Sequence, residues 1–117
     1  MSSDPTKWKF RLRHMREAVD KILRFAAGMD EAQFRAAEQT VDAVVWNLSV
    51  LGEAARSIPA EIESAYPEIP WRQIRGIRNR IVHGYDQINW KIIWNVVTVE
   101  LPPLVPLLEQ VDRETVD

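Results

Sequence analysis

A repeat of apolar residues near the start of the chain constrains the fold most. Over residues 8–26 an apolar side chain recurs at alternating intervals of four and three residues, which is the spacing that lines one face of an α-helix. A strand would need alternation with a period of two, and no segment of the sequence sustains it. The repeat predicts an amphipathic helix that Asp4-Pro5 begins and Gly28 ends. Its apolar positions are Trp8, Leu12, Met15, Val19, Ile22 and Ala26.

A second long helix is predicted over residues 37–57, before Pro59, and it is apolar on two sides. Because a helix that is apolar over much of its circumference has to be covered by more than one neighbour, this helix is expected at the centre of the domain. One stripe consists of Val41, Val44, Leu48, Leu51 and Ala55, and the other of Val45, Trp46, Val50 and Ala54.

Capping residues and prolines divide the remainder of the chain into further helices. Asp30 with Gln33 predicts a capping box, residues 60–65 a short helical turn, Pro70 the start of another helix, and Asn89 the cap of the next. Three prolines (Pro102, Pro103 and Pro106) are expected to kink or break the last helical stretch. The predicted fold is all-α: one domain over residues 1–117, an up-and-down bundle of four main helices with a kinked C-terminal helix.

Composition excludes several classes of protein. The 117-residue chain is 46% hydrophobic and 27% charged, as in an ordinary globular domain. It has no cysteine, so disulfides and thiolate metal sites are excluded. No apolar run approaches the roughly 20 residues of a membrane span, and no signal peptide opens the chain. We therefore expect a cytoplasmic protein with no membrane association, no metal ligands and no cofactor.

The segment Arg78–Tyr85 contains the side chains best suited to catalysis or ligand binding, since it holds Arg, Asn, His and Tyr within eight positions. Gly84 predicts a helix end in a left-handed conformation, which would place His83 in the last helical turn and Tyr85 just beyond it. Asn79 would then share a face with His83, four residues later. Arg78 would lie about 140° round the helix from His83, so a partner surface would help to bring the two together.

These residue types suit the cleavage of a phosphodiester without a metal. An imidazole can move a proton at neutral pH, and arginine carries a permanent charge that suits a phosphate. Residues 72–91 hold five basic residues against Asp86 alone, a net +4, so the rest of a chain of net charge −2 carries −6. The alternative interpretation is structural, because histidines often cap helix ends and arginines often form solvated faces.

The order of these residues resembles the Arg-x4-His-x-Tyr signature of HEPN-domain proteins, specifically the HepT-type toxins. Arg78, His83 and Tyr85 carry the signature itself. The flanking stretches Leu51-Gly52-Glu53-Ala54-Ala55 and Tyr66-Pro67-Glu68-Ile69-Pro70-Trp71 are also similar to that family, as are Trp94 and Leu101-Pro102. The resemblance covers roughly residues 6–111.

The resemblance implies a homodimeric, metal-independent RNase toxin of a type VII-like toxin–antitoxin module. Its antitoxin would be a nucleotidyltransferase of the MntA type. Arg78 and His83 would be the catalytic pair, Asn79 their polar support, and Tyr85 the residue to which the antitoxin transfers AMP. From the charge pattern, Arg75, Arg80 and Lys91 are expected to bind RNA phosphates.

Two other functions are compatible with the sequence. The chain could be a non-catalytic helical subunit that presents nucleotide or substrate to a separately encoded nucleotidyltransferase. It could also be a structural, partner-binding bundle, for which the tryptophan of the long helix is the support. RNA cleavage that survives EDTA would distinguish the metal-independent RNase from both of these alternatives.

Overall fold

Two long helices form the frame of the molecule. A computed structural model describes residues 5–83 and 87–115, and in it α1 (Pro5–Ala26) packs along α3 (Glu38–Ala55). Every position of the predicted apolar repeat in α1 is buried, as the sequence analysis expected. Gly28 follows α1 with a φ of +79°, a backbone conformation that favours glycine because it has no Cβ. Between the two lies α2 (Glu31–Ala36), where Asp30 and Gln33 form the predicted capping box.

The predicted motif helix is divided into two short helices. After α4 (Ala60–Ala65), α5 (Trp71–Arg75) and α6 (Ile77–Ile81) are separated at Gly76. Both pack on α3, and four of their side chains are buried in the core. These are Trp71, Ile74, Ile77 and Ile81.

The end of the motif helix differs from the prediction. The helix stops at Ile81, and Val82–His83 (β1) pairs in antiparallel register with Gln87–Ile88 (β2). The prediction that His83 occupies the last helical turn was therefore wrong. Extended backbone at the β-branched Val82 (φ −118°, ψ 119°) allows this pairing, and the Asn89 N–H donates to the Ile81 carbonyl at 2.8 Å.

The C-terminal third is kinked as predicted, and it contains an element that the sequence did not predict. α7 (Trp90–Asn95) begins at the Asn89 cap and continues into a π-helical segment, Val96–Glu100, closed by a 2.9 Å bond from the Leu101 N–H to the Val96 carbonyl. A bend of 54° then separates it from α8 (Leu104–Glu114). Pro102 and Pro103 lie at this bend, whereas Pro106 sits in the first turn of α8, where a missing N–H interrupts no helical bond.

No single helix of the described residues is long and apolar enough to cross a membrane. The bent pair Trp90–Glu100 and Leu104–Glu114 reaches the required length and composition only when its two halves are taken together.

The second apolar stripe of α3 is covered only in part. Ala54 is buried and Val45 and Val50 are half-buried, but 69% of Trp46 is exposed. The two apolar stripes of α3 predicted neighbouring helices on both of its sides. Within the described chain, α1 covers one side, and α5 and α6 leave the Trp46 position open.

An ion-pair cluster joins the start of α1 to the end of α8. Lys9, only 6% exposed, contacts the Asp112 carboxylate at 2.8 Å and donates to the carbonyl of Thr115. Arg16 contacts the other Asp112 oxygen at 2.6 Å. The hydrogen bond from Lys9 holds the pKa of Asp112 below its usual range.

We expect Asp112→Asn to lower the free energy of unfolding by about 1–3 kcal/mol at pH 7, because it leaves the buried Lys9 without its counter-charge. A carboxyl with a depressed folded pKa stabilises the protein above its unfolded pKa near ~3.9 and loses that contribution as the pH falls further. Urea unfolding should therefore show a constant difference from pH 5 to 8 that shrinks below pH 4. Asp42→Asn, at an exposed acid of α3, is the control and should cost little at any pH.

Candidate active site

Gly52 fixes the distance between α3 and the two motif helices. A Cβ at this position would lie 3.1 Å from the Ile74 carbonyl oxygen and 3.4 Å from that of Arg75. Because an added Cβ would press tightly on two backbone oxygens, which could relieve the contact only by shifting, glycine here allows α5 and α6 to pack directly on α3. This contact gives a physical role to the Leu-Gly-Glu-Ala stretch, which lies far from the motif in sequence.

The lead-in to the motif has a similar structural role. Ile69 and Trp71 are buried, and the Trp71 indole N–H donates to the Tyr66 carbonyl at 3.0 Å. The turn before α5 is thereby fixed to the core, so that the outward face of α5 and α6 has a defined position.

Arg78 and Asn79 lie on that outward face and are exposed. With Arg75 they line one wall of a groove of about 140 Å³, and α3 supplies the other wall through Ser49, Gly52, Glu53 and Arg56. Arg78 and Asn79 therefore line the same groove. Arg56 and Ser49 line it too; the sequence pattern did not single them out, because only the packing of α3 against α5 and α6 places them beside the motif.

The other two motif residues are not placed by the structure. The side chain of His83, and Tyr85 as a whole, lie outside the described residues. The backbone of His83 is in β1, so the i, i+4 relation to Asn79 does not hold. The helical angle of about 140° between Arg78 and His83 therefore no longer applies.

Two of the predicted phosphate-binding arginines are engaged by carboxylates. Arg75 pairs with Glu63 of α4. Arg80 makes a two-point contact with Glu100, at 3.0 and 2.9 Å, and Asn95 donates to the same carboxylate at 3.1 Å. The hydrogen bond from Arg80 lowers the pKa of Glu100, and the same hydrogen bond raises the pKa of Arg80. These pairs reduce the +4 charge of the motif segment, and each arginine would have to leave its carboxylate to hold a phosphate.

Lys91 differs from these arginines. It is exposed in the first turn of α7, and no carboxylate of the described ranges lies within ion-pair distance of it. Arg78 likewise has no carboxylate within ion-pair distance among residues 5–83 and 87–115. Arg72, exposed in α5, is likewise without an ion pair among the described residues. These three cations therefore contribute most directly to the surface charge of the motif region.

The fold and the groove define a class of protein, an all-α domain with an exposed Arg-Asn pair in the second half of a broken helix. Further arginines line the groove beside this pair, so the groove is suited to an anionic ligand. A family model described as "Ribonuclease HepT-like" matches residues 15–111. The chain belongs to this HepT-like family.

Curated relatives agree with this assignment. A protein of Thermococcus cleftensis named "Probable ribonuclease HepT" is 29% identical over 102 residues, covering 87% of this chain and 93% of the relative. A Methanocaldococcus jannaschii protein, named as a candidate RNase, is 30% identical over 98 residues, covering 84% and 81% of the two chains. A candidate RNase of Caldanaerobacter subterraneus is 26% identical over 100 residues, with 86% and 89% coverage. No solved structure matches the chain.

Proposed function

We propose that this protein is a metal-independent endoribonuclease toxin whose active site consists of Arg78, Asn79 and His83. The observation that carries the proposal is the exposed Arg78–Asn79 pair beside an arginine-lined groove, in a chain whose HepT-like match spans the motif. The 2′-hydroxyl of RNA attacks the adjacent phosphorus, the bond between that phosphorus and the 5′-oxygen of the next nucleotide breaks, and a 2′,3′-cyclic phosphate and a 5′-hydroxyl result. His83 would take the proton from the 2′-hydroxyl or give a proton to the leaving 5′-oxygen, and Arg78 would stabilise the charge that develops on the phosphate.

Neighbouring cations hold the RNA strand in this proposal. Lys91 and Arg78 bind phosphates directly, and Arg56 extends the contact along the groove. Arg75 and Arg80 contribute only when RNA draws them away from Glu63 and Glu100. Replacing Lys91 by Ala should therefore reduce the salt dependence of RNA binding by up to about one unit of log–log slope, and replacing Arg80 by less.

Purified protein tests the function directly. Incubation with single-stranded RNA in EDTA should yield cleavage of phosphodiester bonds by the adjacent 2′-hydroxyl, with products that end in a cyclic phosphate. Protein that binds RNA or nucleotide but does not cleave would favour the non-catalytic nucleotide-binding subunit instead. Protein that neither binds nor cleaves would favour the structural bundle.

A second copy of the chain completes the site in the same proposal. Trp46, Ser49 and Glu53 share one face of α3, and Ser49 and Glu53 line the groove with Arg78. The exposed Trp46 therefore lies one helical turn along α3 from Ser49, which lines the groove with Arg78. A two-fold interface centred on Trp46 would bury this indole and bring the two copies of Arg78 and His83 towards each other.

We expect Trp46→Glu to convert a dimer into a monomer and to abolish most RNA cleavage, because it places a charge in an apolar interface. Light scattering with a parallel cleavage assay measures both effects. Phe10→Glu is the matched control, since Phe10 is also an exposed aromatic (58%) but lies on α1; it should remain dimeric and active. A monomeric protein that cleaves RNA at the wild-type rate would contradict the shared site.

The partner that restrains this toxin is a nucleotidyltransferase-type antitoxin that transfers AMP to Tyr85. Its support is the motif order of residues 78–85.

A further inference from the structure

Three side chains form a layered stack where α2 meets the start of α7. The Arg35 guanidinium carbon lies 5.0 Å from the centre of the Trp90 ring. Phe34 contacts the same indole edge-on, with ring centres 6.3 Å apart. Phe34 is fully buried, Trp90 is half-buried and Arg35 is exposed. The stack therefore runs from the core outward and ends in a guanidinium group at the surface.

The backbone holds this stack next to the cleavage motif. Val82 pairs with Ile88 in the two-stranded ladder, and Trp90 is two residues, about 7 Å of chain, beyond Ile88. Asn89 closes the connection, since its N–H donates to the Ile81 carbonyl and its side chain caps the Ile92 N–H at 3.1 Å. The indole is thus fixed relative to the residues that follow Arg78.

The ion pairs of this chain do not account for Arg35. Among residues 5–83 and 87–115, no carboxylate lies within 4.0 Å of its guanidinium group. The side chain instead lines an open depression of about 590 Å³, and of the described residues Glu31, Ala32 and Ala36 line it as well. These described residues supply one acid, one base and two methyl groups, so their charges cancel. It is better suited to a flat, neutral group than to a phosphate.

We infer that Arg35, supported by Trp90, is a nucleobase-stacking platform that holds one unpaired base of the RNA beside the cleavage motif. This inference rests on the proposed ribonuclease function. Unpaired bases stack on arginine planes and aromatic rings in many RNA-binding proteins. The guanidinium is planar and weakly hydrated, and Trp90 holds it in place before RNA arrives. Every base has a π-face, so the platform fixes the register of the strand without selecting its sequence.

Arg35→Lys tests the platform because it keeps the charge and removes the plane. We expect KM for a single-stranded oligoribonucleotide to rise on the order of tenfold, with little change in kcat. Trp90→Leu should have a similar effect, and Trp90→Phe should restore most of the affinity. The matched control is Trp94→Leu, since Trp94 packs on the same Phe34 ring (5.3 Å); the variant should change the melting temperature without changing KM.

Abasic substrates locate the base. Removing the base at one position of the oligonucleotide should raise KM for wild-type protein, and should cause no additional increase in Arg35→Lys. Binding of a non-cleavable 2′-deoxy oligonucleotide, measured by fluorescence anisotropy, should follow the same pattern. An Arg35→Lys protein with wild-type KM and wild-type binding, or an equal abasic effect in both proteins, would overturn the platform. A wild-type protein that does not cleave RNA would instead overturn the proposed function, while the anisotropy measurement would still decide whether a base stacks on Arg35.

Discussion

Replacing Arg78 or His83 by Ala should reduce RNA cleavage by on the order of 10²- to 10⁴-fold, with no change in helicity or melting temperature. Arg78 is exposed, and no described carboxylate pairs with it, so its removal leaves no buried group without a partner. The loss at His83 would be that of a general acid or base, and the loss at Arg78 that of a charge facing the developing phosphate anion. Single-turnover cleavage of a labelled oligonucleotide is the measurement.

The chain provides a matched control for each residue. Arg72 is an exposed arginine of α5, six residues before Arg78, and Arg72→Ala should keep nearly full activity. The sequence contains two histidines, and the other, His14, contacts Phe10 on α1 with ring centres 4.6 Å apart. His14→Ala should also remain active. If His83→Ala cleaves at close to the wild-type rate, or if its loss of activity follows a loss of helicity, the assignment is wrong.

Tyr85→Phe should abolish adenylylation by the antitoxin while most of the RNA cleavage remains. In the proposed reaction the phenolic oxygen attacks the α-phosphorus of ATP, pyrophosphate leaves, and the phenol loses its proton. Phenylalanine has no oxygen to accept AMP. The modified tyrosine would carry a bulky, anionic group two residues from His83, which could pair with Arg78 and occupy the position of the RNA phosphate. The variant should therefore remain toxic when the antitoxin is co-expressed.

Mass spectrometry of the toxin after incubation with antitoxin, ATP and Mg²⁺ detects the adduct and its position. Tyr66 is the control because it is the only other tyrosine of the sequence. Its hydroxyl donates to Glu114 at 2.9 Å, and burial together with this hydrogen bond raises its pKa, so it is a poorer nucleophile. Tyr66→Phe should be modified as fully as wild type. An adduct on another residue, or inhibition with no adduct, would exclude this mechanism.

The helical elements could be predicted from the sequence because they depend on local periodicity and caps. The α1 repeat, the Asp30 capping box, the short helix Ala60–Ala65 and the Asn89 cap all appear where the spacing placed them. Side chains three and four residues apart share a helical face, so the apolar pattern identified the buried face of α1 and one buried stripe of α3, although Trp46 of the second stripe is exposed. The motif together with its flanking stretches was likewise enough to indicate the HepT-like family.

The features of the site depended on contacts between residues far apart in the chain, which the sequence pattern does not encode. The helix ends at Ile81 because Val82–His83 pairs with Gln87–Ile88. Arg80 faces Glu100 because the π-helical segment lies beside α6. Arg56 joins the groove because Gly52 allows two helices to approach at backbone distance. Periodicity determines which face of each element is apolar; only the packing of those faces decides which polar side chains meet at the surface they leave open.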